Sequence, residues 1–143
     1  MPSPWGSCSA LSRMFTAYQV ETNLPVAIKQ MDLDKQPNKD LILNEILVMQ
    51  AWRHTNIVTY IDSFLYTNGL WLVMEYMDGG SLTDVVTADF MTEGQMAAVS
   101  KETAQGLQYL HKHGVIHRDI KGDNVLLSLT GDIKLSTYHD VFS

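Results

Sequence analysis

His117-Arg118-Asp119-Ile120-Lys121-Gly122-Asp123-Asn124 is a dense polar stretch set between two apolar runs, Val115-Ile116 and the residues from Val125 to Leu129. Loops that hold charged groups between buried strands usually present them to a ligand. An aspartate at 119, a lysine two residues on and an asparagine five residues on supply a proton acceptor, a countercharge for a phosphate and a neutral oxygen for a hard metal ion. A solvated turn in which Arg118 pairs with a neighbouring acid is the bland alternative, and the length of the polar run weighs against it.

Working outward, the pattern upstream is first strand-like and then helical, with no internal repeat. Residues 1–13, rich in Ser and Pro, form a lead-in. Met14 to Val20 and Val26 to Met31 are two extended runs joined by a short loop. Pro37 precedes a helical stretch from Lys39 to Trp52. Ile57 to Leu65 and Leu70 to Tyr76 are strand-like, with Asn68-Gly69 between them as the hairpin turn, since both residues tolerate positive φ. Asp78-Gly79-Gly80 breaks the pattern and is expected to be a flexible boundary. Ser81 with Asp84 caps a short helix, and Thr92 with Gln95 opens a long one whose Met96, Val99, Thr103, Leu107 and Leu110 recur at helical spacing until Gly114. Thr130-Gly131-Asp132 separates two short final strands. The fold class is α+β, with a small, mostly antiparallel sheet and one helix in the first half.

Within the 39–52 helix, Glu45 has Leu41, Ile42, Val48 and Met49 three and four residues away, so a carboxylate sits in an apolar stripe. Burying it unpaired is costly, which calls for a cationic partner or a less buried face. Lys29 and Ala27 point to one side of their strand while Val26 and Ile28 point to the other, so Lys29 is a candidate to reach Glu45. A solvated edge lysine beside a fraying helix is the equal alternative on these residues alone.

Taken in order, Val26-Ala27-Ile28-Lys29, Glu45 and His117-Arg118-Asp119 through Asn124 resemble the signature of a eukaryotic protein kinase. Asn44-Glu45-Ile46-Leu47-Val48-Met49, Val73-Met74-Glu75-Tyr76, Gly79 to Val86 and Val115 to Asn124 are similar to the PAK family of Rac-activated Ser/Thr kinases, over roughly residues 14–135. The resemblance implies an upper lobe over 1–77, ending in a hinge, and an incomplete, partly helical lower lobe over 78–143. It implies ATP and Mg as cofactors and a protein substrate. Lys29 would hold the α and β phosphates and pair with Glu45, Asp119 would accept the proton of the substrate hydroxyl, Lys121 would balance the transferred phosphate and Asn124 would hold a magnesium ion. Met74 would guard the back of the adenine pocket, Glu75 to Met77 would form the hinge, and Ala27 and Leu126 would sandwich the adenine ring.

Three departures from that family predict impaired catalysis. Its G-x-G-x-x-G falls on Ser7-Cys8-Ser9-Ala10-Leu11-Ser12, with serine at all three glycine positions, although glycine is wanted there for positive φ and close approach to phosphate. Its D-F-G falls on Thr137-Tyr138-His139, which replaces an anionic magnesium ligand with a neutral hydroxyl. The sequence stops at Ser143, before the activation segment, so the long helix is expected to leave an open apolar stripe that invites self-association or a chaperone.

Composition narrows the alternatives. Ten Lys and Arg against sixteen Asp and Glu give a net charge of −6 over 143 residues, which is not the footprint of a nucleic-acid binder. The lone Cys8 offers no internal disulfide and no second thiol for zinc. No run approaches the ~20 apolar residues needed to span a bilayer, and the start lacks a leader pattern. A cytoplasmic chain with no membrane partner is expected. A non-catalytic interaction fragment and a gene product without function stand as alternatives to a kinase.

Overall fold

The computed structural model describes residues 12–35 and 39–137, with the side chains of Ser12, Lys35, Leu41, Glu45 and Val48 outside that description. Strands β1 (Ser12–Tyr18), β2 (Pro25–Asp32), β3 (Tyr60–Tyr66) and β4 (Gly69–Glu75) form an antiparallel sheet in the order β1-β2-β4-β3. The β1–β2 turn closes through Gln19 N–H to the Leu24 carbonyl at 2.9 Å, with Asn23 at φ 54°. β2 therefore lies between β1 and β4, and its β-branched Val26 and Ile28 suit a central strand.

Pairing of Tyr66 with Gly69 puts positive φ on Thr67 (45°) and Asn68 (58°), one residue before the expected Asn68-Gly69. Register decides the matter: this pairing keeps Leu65 opposite Leu70 and Phe64 opposite Trp71, and a slip would turn one strand's faces over. A β-branched residue in the left-handed region is strained by about 1 kcal/mol or more. Thr67→Asn should accordingly raise stability by about 1 kcal/mol in a denaturant titration. A neutral or negative change would show that the turn carries no such strain.

Helix α1 (Lys39–Gln50) packs Ile42, Ile46 and Met49 into the same buried core as Leu70, Leu72 and Met74 of β4, with β3 its neighbouring strand. Complete burial of each such side chain contributes about 1.5–3 kcal/mol. Residues 57–58, expected to start a strand, instead join the second sheet. Ile57 bridges Leu135 in parallel, the Val58 N–H donates to the Leu135 carbonyl at 3.0 Å, and the Leu135 N–H donates to the Asn56 carbonyl at 2.8 Å.

That second sheet has the order β5 (Gly80–Ser81), β6 (Val125–Leu127) and β7 (Ile133–Leu135). The 78–80 segment is pinned rather than a loose boundary. The Gly79 N–H donates to the Leu127 carbonyl at 2.8 Å, the Leu129 N–H donates to Asp78 Oδ1 at 2.8 Å, and a Cβ on Gly79 would sit 2.7 Å from the Leu127 oxygen.

Both anticipated capping boxes are present. Ser81 and Asp84 open α2 (Leu82–Ala88), and Thr92 and Gln95 open α3 (Glu93–Lys112). The hydrogen bonds from Ser81 hold the Asp84 carboxyl below its usual range. Gly114, at φ 76°, ends the helix as expected. The stripe on α3 is mostly covered: Val99 and Leu110 are buried, Thr103 and Leu107 half-buried, and Met96 alone among the five is exposed. β7 and the 56–57 segment lie against this face, which corrects the expectation of an open stripe.

Candidate functional site

Alternation along β2 brings Ala27 and Lys29 to the inner face of the first sheet, where Ala27 pairs with Met74 and Lys29 with Leu72 of β4. Lys29 is only 6% exposed, so the solvated edge lysine is set aside. Ala27, Met74, Met77 and Leu126 belong to one hydrophobic core, which is how residues from both sheets come together. The Glu45 side chain, the proposed partner of Lys29, lies outside the described residues.

The 117–124 loop is built by its own polar side chains. Arg118 takes a left-handed φ of 66°, which reverses the chain between His117 and Asp119. His117 Nε2 lies 2.9 Å from the Ser136 carbonyl, and its Nδ1 accepts the Asp119 N–H at 3.3 Å. Asn124 Nδ2 donates to both the Asp119 carbonyl at 2.8 Å and Asp119 Oδ2 at 3.0 Å, and Lys121 Nζ lies 3.1 Å from that same oxygen. The Ser136 N–H donates to the Asn124 carbonyl at 2.9 Å, tying the loop to the end of β7. Gly122 packs where a Cβ would stand 2.5 Å from Thr83 Oγ1 on α2. Asp119, Lys121 and Asn124 thus converge, as their spacing suggested.

Burial lowers the His117 pKa from 6.5, while its bond to Ser136 and the Asp119 charge push the other way. The neutral ring donates at Nε2 and accepts at Nδ1, so protonation breaks the bond from Asp119. A depressed histidine gives stability that is present above pH 6.5 and lost as the pH falls through the lower folded value. Thermal melts should therefore show stability declining below pH 6.5, and His117→Asn should flatten that decline. An equal decline in the variant would place its cause elsewhere.

Thr137 sits one residue beyond Ser136. It is 7% exposed, and its hydroxyl lies 3.8 Å from Met49 Sδ on α1. Its Oγ is therefore engaged by a core thioether. Among the described residues no three His, Cys, Asp or Glu side chains stand together to hold a metal. Asn124 supplies a neutral amide, Asp119 is salt-bridged to Lys121, and Mg prefers one or two carboxylates in near-octahedral geometry. Among the described residues, this donor set does not fit magnesium. The other positions of the two departures, Ser7 to Leu11, Tyr138 and His139, lie outside the described residues.

Sequence reasoning missed an ion pair beside the expected hinge. Glu75 receives both Lys134 Nζ contacts at 2.8 Å and the Thr59 N–H at 2.6 Å, joining the end of β4 to β7 and to the segment before β3. Alternation in Ile133-Lys134-Leu135, which turns a lysine away from the core, was the available signal.

The sequence profile of the protein kinase domain matches residues 8–138. The chain belongs to the protein kinase domain family. It is 70% identical over 125 residues to the serine/threonine-protein kinase SMU1 of Mycosarcoma maydis, covering 87% of this chain and 17% of that protein. It is 64% identical over the same length to the serine/threonine-protein kinase pakA of Talaromyces marneffei and 60% identical to the serine/threonine-protein kinase STE20 of Saccharomyces cerevisiae, each match covering 87% of this chain. The matched regions are 20% and 13% of those two relatives, so this protein kinase chain spans a minor part of their length. Its likeness is to the STE20 and PAK Ser/Thr kinases, and its α+β architecture is that of the kinase fold. Among the described residues, no helix is long and apolar enough to cross a membrane.

Proposed function

We propose that this chain is a Ser/Thr protein kinase-like unit that holds ATP and is impaired in phosphoryl transfer to protein hydroxyls. The observation that carries the reading is Thr137, at the position of the D-F-G aspartate, with its hydroxyl against Met49 Sδ. Phosphoryl transfer rests on positioning and charge neutralisation, so losing that carboxylate removes the step that holds the phosphates in line. Lys29 is a buried cation suited to a polyphosphate, with the small Ala27 two residues before it on the same face. In this reading Lys29 and Glu45 orient the phosphates, Asp119 accepts the hydroxyl proton and Lys121 balances charge. Glu75 to Met77 form the hinge, Met74 closes the back of the pocket, and Ala27 and Leu126 flank the adenine. Residues 1–77 act as the upper lobe and 78–143 as the lower, in a cytoplasmic setting.

Thermal denaturation with and without ATP tests this. At ten times Kd the ligand should add about 1.4 kcal/mol, a rise of about 5 °C, and Lys29→Ala should abolish it. Absence of any shift would leave the readings of a non-catalytic interaction fragment or a gene product without function. Phosphate transfer to a generic basic protein that disappears in Asp119→Asn would overturn the impairment.

A further inference from the structure

We propose that the site binds ATP without a divalent cation, and that Mg2+ leaves the affinity unchanged or lowers it. This rests on the nucleotide-holding reading above and goes beyond it by naming the charge state of the ligand. The poor fit of the donor set to magnesium is the starting point, and the electrostatics of the same residues supply the rest.

A carboxylate beside a polyphosphate repels it, and a bound dication is what converts that repulsion into attraction. A kinase carrying carboxylates at both the 119 and 137 positions therefore gains affinity for the nucleotide when the metal is present. Here the residue at 137 is neutral, so one of the two repulsions is absent. The other is offset, because the Asp119 carboxylate has the Lys121 ammonium 3.1 Å away and accepts from Asn124 Nδ2 at 3.0 Å. Asn124 spends its amide donors on Asp119, and Thr137 has its hydroxyl on Met49 Sδ, so neither adds a negative charge that a dication would offset. Lys29, at 6% exposure, is a buried ammonium, and even shared with the partner it already has, its attraction to an anion is stronger than at the surface. Free ATP carries two more negative charges than its magnesium complex, so Lys29 favours the free form.

Isothermal titration with ATP, in excess EDTA and in excess MgCl2, reads the proposal directly. Wild-type chain should bind with equal affinity in both, or up to about tenfold more weakly with Mg2+, a difference of about 1.4 kcal/mol. Thr137→Asp should reverse the order, binding at least about tenfold more tightly with Mg2+ than in EDTA and more weakly than wild type in EDTA. Thr137→Asn, which adds a polar group without charge, should keep the wild-type order. It separates charge from any loss of packing against Met49 if the aspartate variant fails to fold. Wild-type affinity rising tenfold with Mg2+ would overturn metal independence and leave nucleotide binding intact. No binding in either buffer would overturn both, and the same Mg2+ dependence in Thr137→Asn as in Thr137→Asp would overturn the charge argument.

Discussion

Gly106→Ala lowers stability by about 2 kcal/mol, whereas Gly94→Ala on the same helix raises it by about 0.5 kcal/mol. Alanine is the better helix former by up to about 1 kcal/mol, so propensity alone predicts a gain at both positions. Surroundings reverse the sign at one of them. A Cβ on Gly106 would stand 2.8 Å from the Asn56 carbonyl oxygen and 3.0 Å from Leu135 Cδ1, and the first of these is backbone that cannot rotate away. At Gly94 the nearest such atom is Thr92 Oγ1 at 4.0 Å. Displacing Asn56 has a further cost. Its Nδ2 donates to Glu102 Oε2 at 2.6 Å and to the Ile133 carbonyl at 2.9 Å, and its own carbonyl accepts from Leu135. Urea titration of the two variants measures the difference, and a gain in both would show that α3 does not pack closely on the 56–57 segment.

Lys134→Met is expected to cost about 2 kcal/mol, between the value of an exposed ion pair and that of a fully buried one. The Lys134 and Glu75 side chains are 17% and 27% exposed, and removing the cation leaves a carboxylate in poorly hydrated surroundings. Glu75→Gln should cost less, since an amide oxygen still accepts the Thr59 N–H that now donates to Glu75 Oε1 at 2.6 Å. The double variant should be less destabilised than the two single losses added together, because the uncompensated charge is gone. Strict additivity in a double-mutant cycle would mean that the two side chains act independently.

What the sequence disclosed, and what it withheld, follows the range of the forces involved. Capping boxes at Ser81 and Thr92 and the stop at Gly114 were legible because each is a contact within three or four residues. The convergence of Asp119, Lys121 and Asn124 was legible for the same reason. The turn at Thr67-Asn68 was misplaced by one residue because register is set by pairing along the whole of β3 and β4, which outweighs the preference of a single glycine. The tight 78–80 crossing was taken for a loose one because its partner, Leu127, lies far along the chain. For Glu75 with Lys134 the alternation around Lys134 marked a lysine turned from the core but not its partner, and Asn56 with Glu102 and Ile133 was invisible because nothing local announces a bond between residues so widely separated. Burial of Thr137 against Met49 is of this kind, and it bears most directly on what the site can hold.

The hydrogen-bonded seam between Asn56, Val58 and Leu135 adds a mechanical consequence. Two bodies tethered at a single point can reorient about three axes, whereas two separated tethers leave rotation only about the line through them. The 56–58 seam and the 75–80 crossing are such a pair of tethers between the two sheets, and with the Thr137–Met49 and Glu75–Lys134 contacts beside them they restrict relative motion to slight rocking. In that rocking β1, the edge strand farthest from both tethers, sweeps the widest arc, while the amides of Val58 and Leu135 lie on the axis and should be among the slowest in the chain to exchange with solvent.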